Sequence, residues 1–245
     1  MNLFIITYHY FHTDAPEGIP EHDFRYSVSA DRFWHDCAAV ADSGYEIIRP
    51  QQMFEKLKEL SGRRGVLVTI DDGHVSVESI ALEILSQYKI KPILSVLPSL
   101  VGSPNYLSWS SLRRLASLGF AVESHSMSHR YLTRLGDLEL TRDLESARMT
   151  IEDNVGLPVS FLTVPMGRIN HRVVRAAREA GYMGIMTSFA GVNSGLKDRW
   201  NLKRFQVKSD THLGNLGRYF DPFSRVRLIG GIKNLTRRVL IGLGR

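Results

Sequence analysis

Two short stretches of this chain hold residues whose types and spacing could do chemistry. "VLVTIDDGH", residues 66–74, runs from apolar and β-branched residues into two adjacent carboxylates, Asp71 and Asp72, then Gly73 and His74. Neighbouring acids repel, and taking either out of water is costly unless a cation or hydrogen-bond donors compensate. "ESHSMSH", residues 123–129, places His125 and His129 four apart, so both imidazoles share a side if the segment turns helically. Asp72, His125 and His129 could then meet around one divalent metal. Two imidazoles and one carboxylate leave positions open for water and substrate, as a catalytic rather than a structural site requires. Alone, an H-x-x-x-H pair is more often two surface neighbours, and Asp-Asp-Gly is more often a turn. Their common placement directly after an expected strand is what joins them.

The elements that must position these residues follow from periodicity. Strands are expected at Leu3–Tyr8, Glu46–Ile48, Val66–Ile70, Ile93–Leu97, Ala121–Glu123, Ser160–Val164, Gly184–Thr187 and Arg204–Val207. Helical patterns fall between them. Phe33, Cys37, Val40 and Ala41 share one face before Gly44; Leu140, Leu144, Ala147, Ile151 and Val155 form a stripe closed by Gly156 and Pro158. Asn170 is placed to cap the helix that Gly181 ends. Strands alternating with helices imply a parallel sheet, and about seven such units favour a distorted (β/α) barrel, in which strand C-terminal ends converge on one face.

The expected division is a barrel domain over residues 1–220 and a basic helical tail over 221–245. The tail carries Leu228, Ile232, Leu235, Val239 and Leu243 at helical spacing with arginines around them. Two readings stand: a last helix packed on the barrel, or a basic amphipathic helix on an anionic membrane surface.

Composition narrows the classes. The 245 residues are 43% hydrophobic and 23% charged, which suits a folded domain with an ample core. The net charge is +6, but six basic residues against one acidic from Asp221 onward contribute +5 of it. The body is nearly neutral, which argues against nucleic acid as a partner. A single cysteine, Cys37, excludes an intramolecular disulfide. "MNLFIITYHYF" lacks a basic n-region and a cleavage site, so it reads as a first core strand. The expected location is the cytoplasm, peripheral at the inner face of the membrane if the tail touches lipid.

Three motifs together resemble the polysaccharide deacetylases, the homology domain of chitooligosaccharide deacetylases: "TIDDG" (69–73), "HSMSH" (125–129) and "LTVPMG" (162–167), in that family's order. The likeness extends through "LSWSSLRRLASLGFAVESHSMSHRYLTRL", "GRINHRVVRAAREAGYMGIMTSFAGVN" and the opening "ITYHYF", over roughly residues 1–215. The resemblance implies hydrolysis of an N-acetyl group on an amino sugar of a polysaccharide, oligosaccharide or lipid-linked precursor. It implies Asp71 as general base, and Asp72, His125 and His129 as ligands of a divalent metal, Zn²⁺ or another first-row transition ion. A carbohydrate partner bearing N-acetyl groups follows, met by His9, His74, Thr163, Pro165 and Gly167.

Departures from the family pattern bear on the substrate. Ile70 stands where Phe is usual, Thr163 where many members carry an Arg that orients the base, and Val164 and Met166 where aromatic residues wall the sugar site. "NLKRF" places Arg204 where a late His serves many members as general acid. Arg204 is therefore expected to reach back and orient Asp71, and the general acid is left to His9 or His74, or to Asp71 returning its proton. Trp109 either borders the cleft or anchors a helix start; His171 and His212 are assigned no role. Alternatives at this point are another amide or imide hydrolase, a non-catalytic carbohydrate-binding protein that keeps a metal site, and a non-haem iron oxygenase. The extra Asp71 favours hydrolysis, since an oxygenase needs no base there.

Overall fold

The computed structural model describes residues 2–16, 18–53, 55, 64–211 and 213, leaving aside the side chains of 196–198. The proposed tail and His212 lie outside them. Every expected strand occurs, within two residues of its expected ends: β1 (Asn2–Tyr8), β4 (Glu46–Ile47), β5 (Arg64–Asp72), β6 (Ile93–Val96), β7 (Ala121–Ser124), β8 (Phe161–Thr163), β9 (Gly184–Met186) and β11 (Phe205–Gln206). The periodicity did not reveal β2 (Tyr10–His12) and β3 (Ser27–Ser29), which form a separate parallel pair, or β10 (Asn193–Ser194), antiparallel to β1.

The main sheet runs β1-β5-β6-β7-β8-β9 with every neighbour parallel. Its two ends are joined by one segment: Leu202 bridges Met186 of β9, while Phe205 and Gln206 pair with Ile6 and Thr7 of β1. The sheet is thus curled into a distorted (β/α) barrel. Period-two alternation divides its residues. Leu3, Ile5, Leu67, Ile93, Phe161, Met186 and Leu202 pack together inside, with Ile48 and Met53 beneath. Phe4, Ile6, Val66, Val68, Leu94, Val122, Leu162 and Ile185 face outward against the helices.

Nearer the C-terminal ends the inward residues become polar. Thr7 and Thr69 share a hydrogen bond of 2.9 Å, and Ser95 and Thr163 share one of 2.7 Å across the intervening β7. Such a bond spans non-adjacent strands only through the barrel interior.

The helices follow their caps. α1 (Ala30–Asp42) starts where Ser29 accepts from the Arg32 N–H. Its buried face holds Phe33, Cys37 and Val40, but Ala41 is exposed; Asp36 is buried instead and accepts from the Tyr8 hydroxyl at 3.1 Å. A π-helical turn, Val77–Ala81, leads into α2 (Leu82–Gln87). Ser108 caps α3 (Trp109–Ser117), so Trp109 is the helix-start anchor and packs against the core. α4 (Asp137–Val155) buries the whole expected stripe and ends at Gly156, whose φ of 78° is the left-handed conformation favouring glycine. The Asn170 side chain caps α5 (His171–Glu179) by accepting from the Val173 N–H at 3.0 Å. Among the described residues no helix is long and apolar enough to cross a membrane.

Candidate active site

β5 does not stop before the paired acids; both belong to it, Asp71 in register with Ser95 and Asp72 with Val96. Strict alternation would send Asp72 to the outer face, away from Asp71. Its backbone instead adopts φ of 72°, a left-handed conformation that asparagine and aspartate tolerate best among residues with a Cβ. Gly73 continues the turn at φ of 77°. Both carboxylates therefore reach one cleft of about 610 Å³ at the C-terminal end of the barrel.

The histidine segment also departs from expectation. It is a turn rather than a helical continuation, with Ser126 and His129 both left-handed, yet the two rings lie 5.0 Å apart. His125 Nε2 is 3.4 Å and His129 Nε2 3.8 Å from Asp72 Oδ1. One ligand atom from each of the three lies within 4.8 Å of the others. Asp72 Oδ1 is buried and makes no hydrogen bond. An orphaned carboxylate oxygen between two imidazole nitrogens fits a divalent cation, because burying that oxygen unpaired is otherwise unfavourable. The tautomer fits as well: His125 Nδ1 lies 2.8 Å from the Thr163 carbonyl, which only accepts, so Nδ1 carries the proton and Nε2 offers its lone pair.

Asp71 is held differently. Arg204 Nη1 and Nη2 donate to its two oxygens at 2.8 Å each, and Arg204 Nε donates to the Thr187 carbonyl at 3.0 Å. The expected reach-back contact is present, and the guanidinium is 1% exposed. Burial opposes ionisation of Asp71 most strongly, but Arg204, helped by His125 and His9, outweighs it and holds the carboxyl below its usual range. Asp72 is likewise held low: burial again opposes, and His125, His9 and His129 prevail.

The expected substrate contacts divide. His9 and Gly167 line the cleft, and His9 Nε2 is 3.9 Å from Asp71 Oδ2. His74 does not line it: its ring is buried, with Nδ1 2.9 Å from the Ser76 hydroxyl, and packs edge-on under Tyr10. Thr163 lies inside the barrel beneath His125, and Pro165 is buried outside the lining. These two expected contacts are therefore placed away from the cleft, although Val164 between them lines it, as do Met166 and Gly167 in the left-handed turn that follows.

Two supports had no spacing signal of their own. The Tyr10 hydroxyl donates to Asp72 Oδ2 at 2.9 Å, fixing which oxygen faces the histidines. Asp143, an acid between Leu140 and Leu144 on the buried face of α4, accepts from the Met127 N–H at 3.0 Å and so pins the histidine turn. An acid inside an apolar stripe was the available clue. The walls are aromatic after all: Tyr26, Tyr106, Tyr131 and Phe189 line the cleft together with the half-exposed Met166.

Comparison with known proteins fits this geometry. The Bacillus subtilis (strain 168) protein YxkH, which carries a polysaccharide-deacetylase name, is 23% identical over 220 residues, 89% of this chain and 75% of its own length. A peptidoglycan-N-acetylglucosamine deacetylase of Bacillus cereus is 28% identical over 125 residues, 51% of this chain and 56% of that protein. Among solved structures, the Streptococcus pyogenes deacetylase PplD in complex with acetate superimposes with a TM-score of 0.82 at 22% identity, covering 91% of this chain and 99% of that one. A de-N-acetylase from Aggregatibacter actinomycetemcomitans gives 0.77 at 17% identity, covering 89% and 100%. At such identities the structural likeness speaks for the fold. The family model for polysaccharide deacetylase matches residues 58–185, from before β5 into β9, and so takes in both acids and both histidines. By that match over more than half its length, the chain belongs to the polysaccharide deacetylase family.

Proposed function

We propose that this protein hydrolyses the N-acetyl group of an N-acetylated amino sugar, with Asp72, His125 and His129 holding a divalent metal, Zn²⁺ first among the candidates. The observation that carries the reading is the inequality of the two neighbouring acids. Asp72 faces two imidazole nitrogens, while Asp71 faces a guanidinium and both line the cleft. A divalent ion bound there supplies Lewis acidity, lowering the pKa of water to about 7 and polarising an amide carbonyl.

The remaining work falls to the chain's own groups. Asp71, ionised and oriented by Arg204, takes the proton of the attacking water. Tyr10 keeps Asp72 turned toward the histidines. A backbone N–H of the turn at Met166 is the proposed oxyanion donor. Between the two histidines left open as proton donors, the cleft favours His9, since His74 is turned away beneath Tyr10. Burial lowers the proton affinity of His9, and Asp72 and Asp71 oppose that, so the ring has to take up a proton in the cleft before it can pass one to a leaving amine.

The test compares metal content and acetate release from N-acetylated amino-sugar oligomers for wild type, Asp71→Asn and Asp72→Ala. Asp71→Asn keeps the metal and loses turnover; Asp72→Ala loses both. Wild type that holds metal yet releases no acetate from any acetylated sugar overturns the reading.

A further inference from the structure

The charges around the cleft are not balanced in kind. Three acids line it: Asp71 is engaged by Arg204 and Asp72 by the Tyr10 proton and the histidines, while Asp23 lies 3.4 Å from His22 Nε2 and 3.3 Å from the Tyr10 oxygen, whose one proton goes to Asp72. The lining arginines other than Arg204 are different. Arg25 and Arg168 are exposed, and among the described residues neither forms an ion pair. Each lies over a tyrosine ring instead. Arg25 is 4.7 Å from the Tyr26 centroid, with Lys208 also over that ring at 6.0 Å. Arg168 is 5.2 Å from the Tyr131 centroid, and Arg134 covers the same ring at 4.8 Å.

Topology puts these two groups on opposite sides of the mouth. Arg25 and Tyr26 lie on the excursion from the end of β1 to β3, and Lys208 follows β11, which pairs with β1. Tyr131 and Arg134 follow β7, and Arg168 follows β8, three and four strands round the order from β1. Each wall therefore presents a tyrosine ring covered by guanidinium, which among the described residues has no carboxylate paired to it. A guanidinium offers paired donors that match carboxylate and phosphate oxygens. The lining itself holds three arginines and three acids, so the positive excess at the mouth comes from Arg134 and Lys208 beside the two rings, on a body that is close to neutral.

We propose that the cleft takes a glycan in which the N-acetylated sugar is joined to an anionic group, a phosphate ester or a sugar carboxylate, held by Arg25 on one wall and by Arg168 with Arg134 on the other. The proposal deepens the deacetylase reading and rests on it for the acetyl group. Three probes separate the possibilities: chitotetraose, which is neutral; a heparosan tetrasaccharide, in which glucuronate alternates with N-acetylglucosamine; and UDP-N-acetylglucosamine, which carries a pyrophosphate. Binding by calorimetry and acetate release are measured for wild type and for the Arg25→Gln/Arg168→Gln double variant.

The expected result is that at least one anionic probe binds wild type about tenfold more tightly than chitotetraose at low ionic strength, with the gap narrowing as salt is added. The double variant closes most of that gap. Whichever anionic probe prevails assigns carboxylate or phosphate. Equal binding of all three probes overturns the proposal, and so does a preference that survives in the double variant, since the metal group would then be its source. Acetate release without anion preference overturns this inference and leaves the deacetylase reading standing. Arginine-dependent anion preference without acetate release does the opposite.

Discussion

The lower and upper halves of the barrel interior are built by the same strands with the same alternation, and they do opposite things. In the lower half Leu3, Ile5, Leu67, Ile93, Phe161, Met186 and Leu202 fill space. Two to four residues further along the same strands stand Thr7, Thr69, Asp71, Ser95, Thr163 and Arg204, all buried and hydrogen-bonded to one another or to backbone. The lower layer tolerates any shape that fills it, whereas the upper layer is held by directional bonds between few partners. Both ends contribute to stability, but only the upper one orients the acid that faces the cleft, through its buried pairing with Arg204.

Substitutions can break this contrast. The largest effect is expected for Arg204→Ala, which leaves the Asp71 carboxylate buried without its partner. Stability falls by about 3–5 kcal/mol. The sign of the pH effect follows from the direction of the shift: Arg204 lowers the proton affinity of Asp71, and a base works only when ionised. Without Arg204, the acid limb of the pH–rate profile moves to higher pH, and a profile identical to wild type refutes the orienting role. Leu67→Ala, in the lower layer, costs a comparable or slightly smaller amount, about 2–5 kcal/mol. In the folded fraction its kcat and pH profile stay those of wild type, so with denaturant melts shifted alike the rate profile separates the two layers.

Glu123 marks the boundary, one inward position above Ala121 and one below His125. Its carboxyl accepts from the Ser160 and Phe161 N–H groups at 2.7 Å each, and burial raises its pKa from 4.5 to about 8 despite those bonds. A raised folded-state value means the native protein keeps a proton that the unfolded chain has already lost. Stability is therefore full below pH 4.5 on this account and declines by a few kcal/mol as pH rises toward about 8. Urea midpoints across that range should slope downward for wild type and flatten for Glu123→Gln. The smallest effect concerns the Ser95–Thr163 bond. Thr163→Val alone strands the Ser95 hydroxyl and costs about 1–3 kcal/mol, whereas the double change with Ser95→Ala is nearly neutral. Equal costs for single and double variants would contradict the pairing through the interior.

The legible parts of the molecule were those with a period or a motif. Strand positions, the α4 stripe and the Asn170 cap follow from local pattern, because alternation and capping act over a few residues. The reach of Arg204 to Asp71, 133 residues away, was accessible only through its place in a family pattern. The excursion between β1 and β3 gave no such signal, and it supplies Asp23, Arg25 and Tyr26 to the cleft.

By itself the sequence determined which residues carry charge and lone pairs: two adjacent acids, two histidines four apart, and an arginine late in the chain. Only the tertiary structure decided that the acids are unequal. One left-handed residue at Asp72 turns its carboxylate to the histidines, and closure of the barrel at Leu202–Gln206 brings the guanidinium to Asp71. The physical reason is that a carboxylate's role is set by the charges within a few ångströms of it, and those come from strands far apart in the chain.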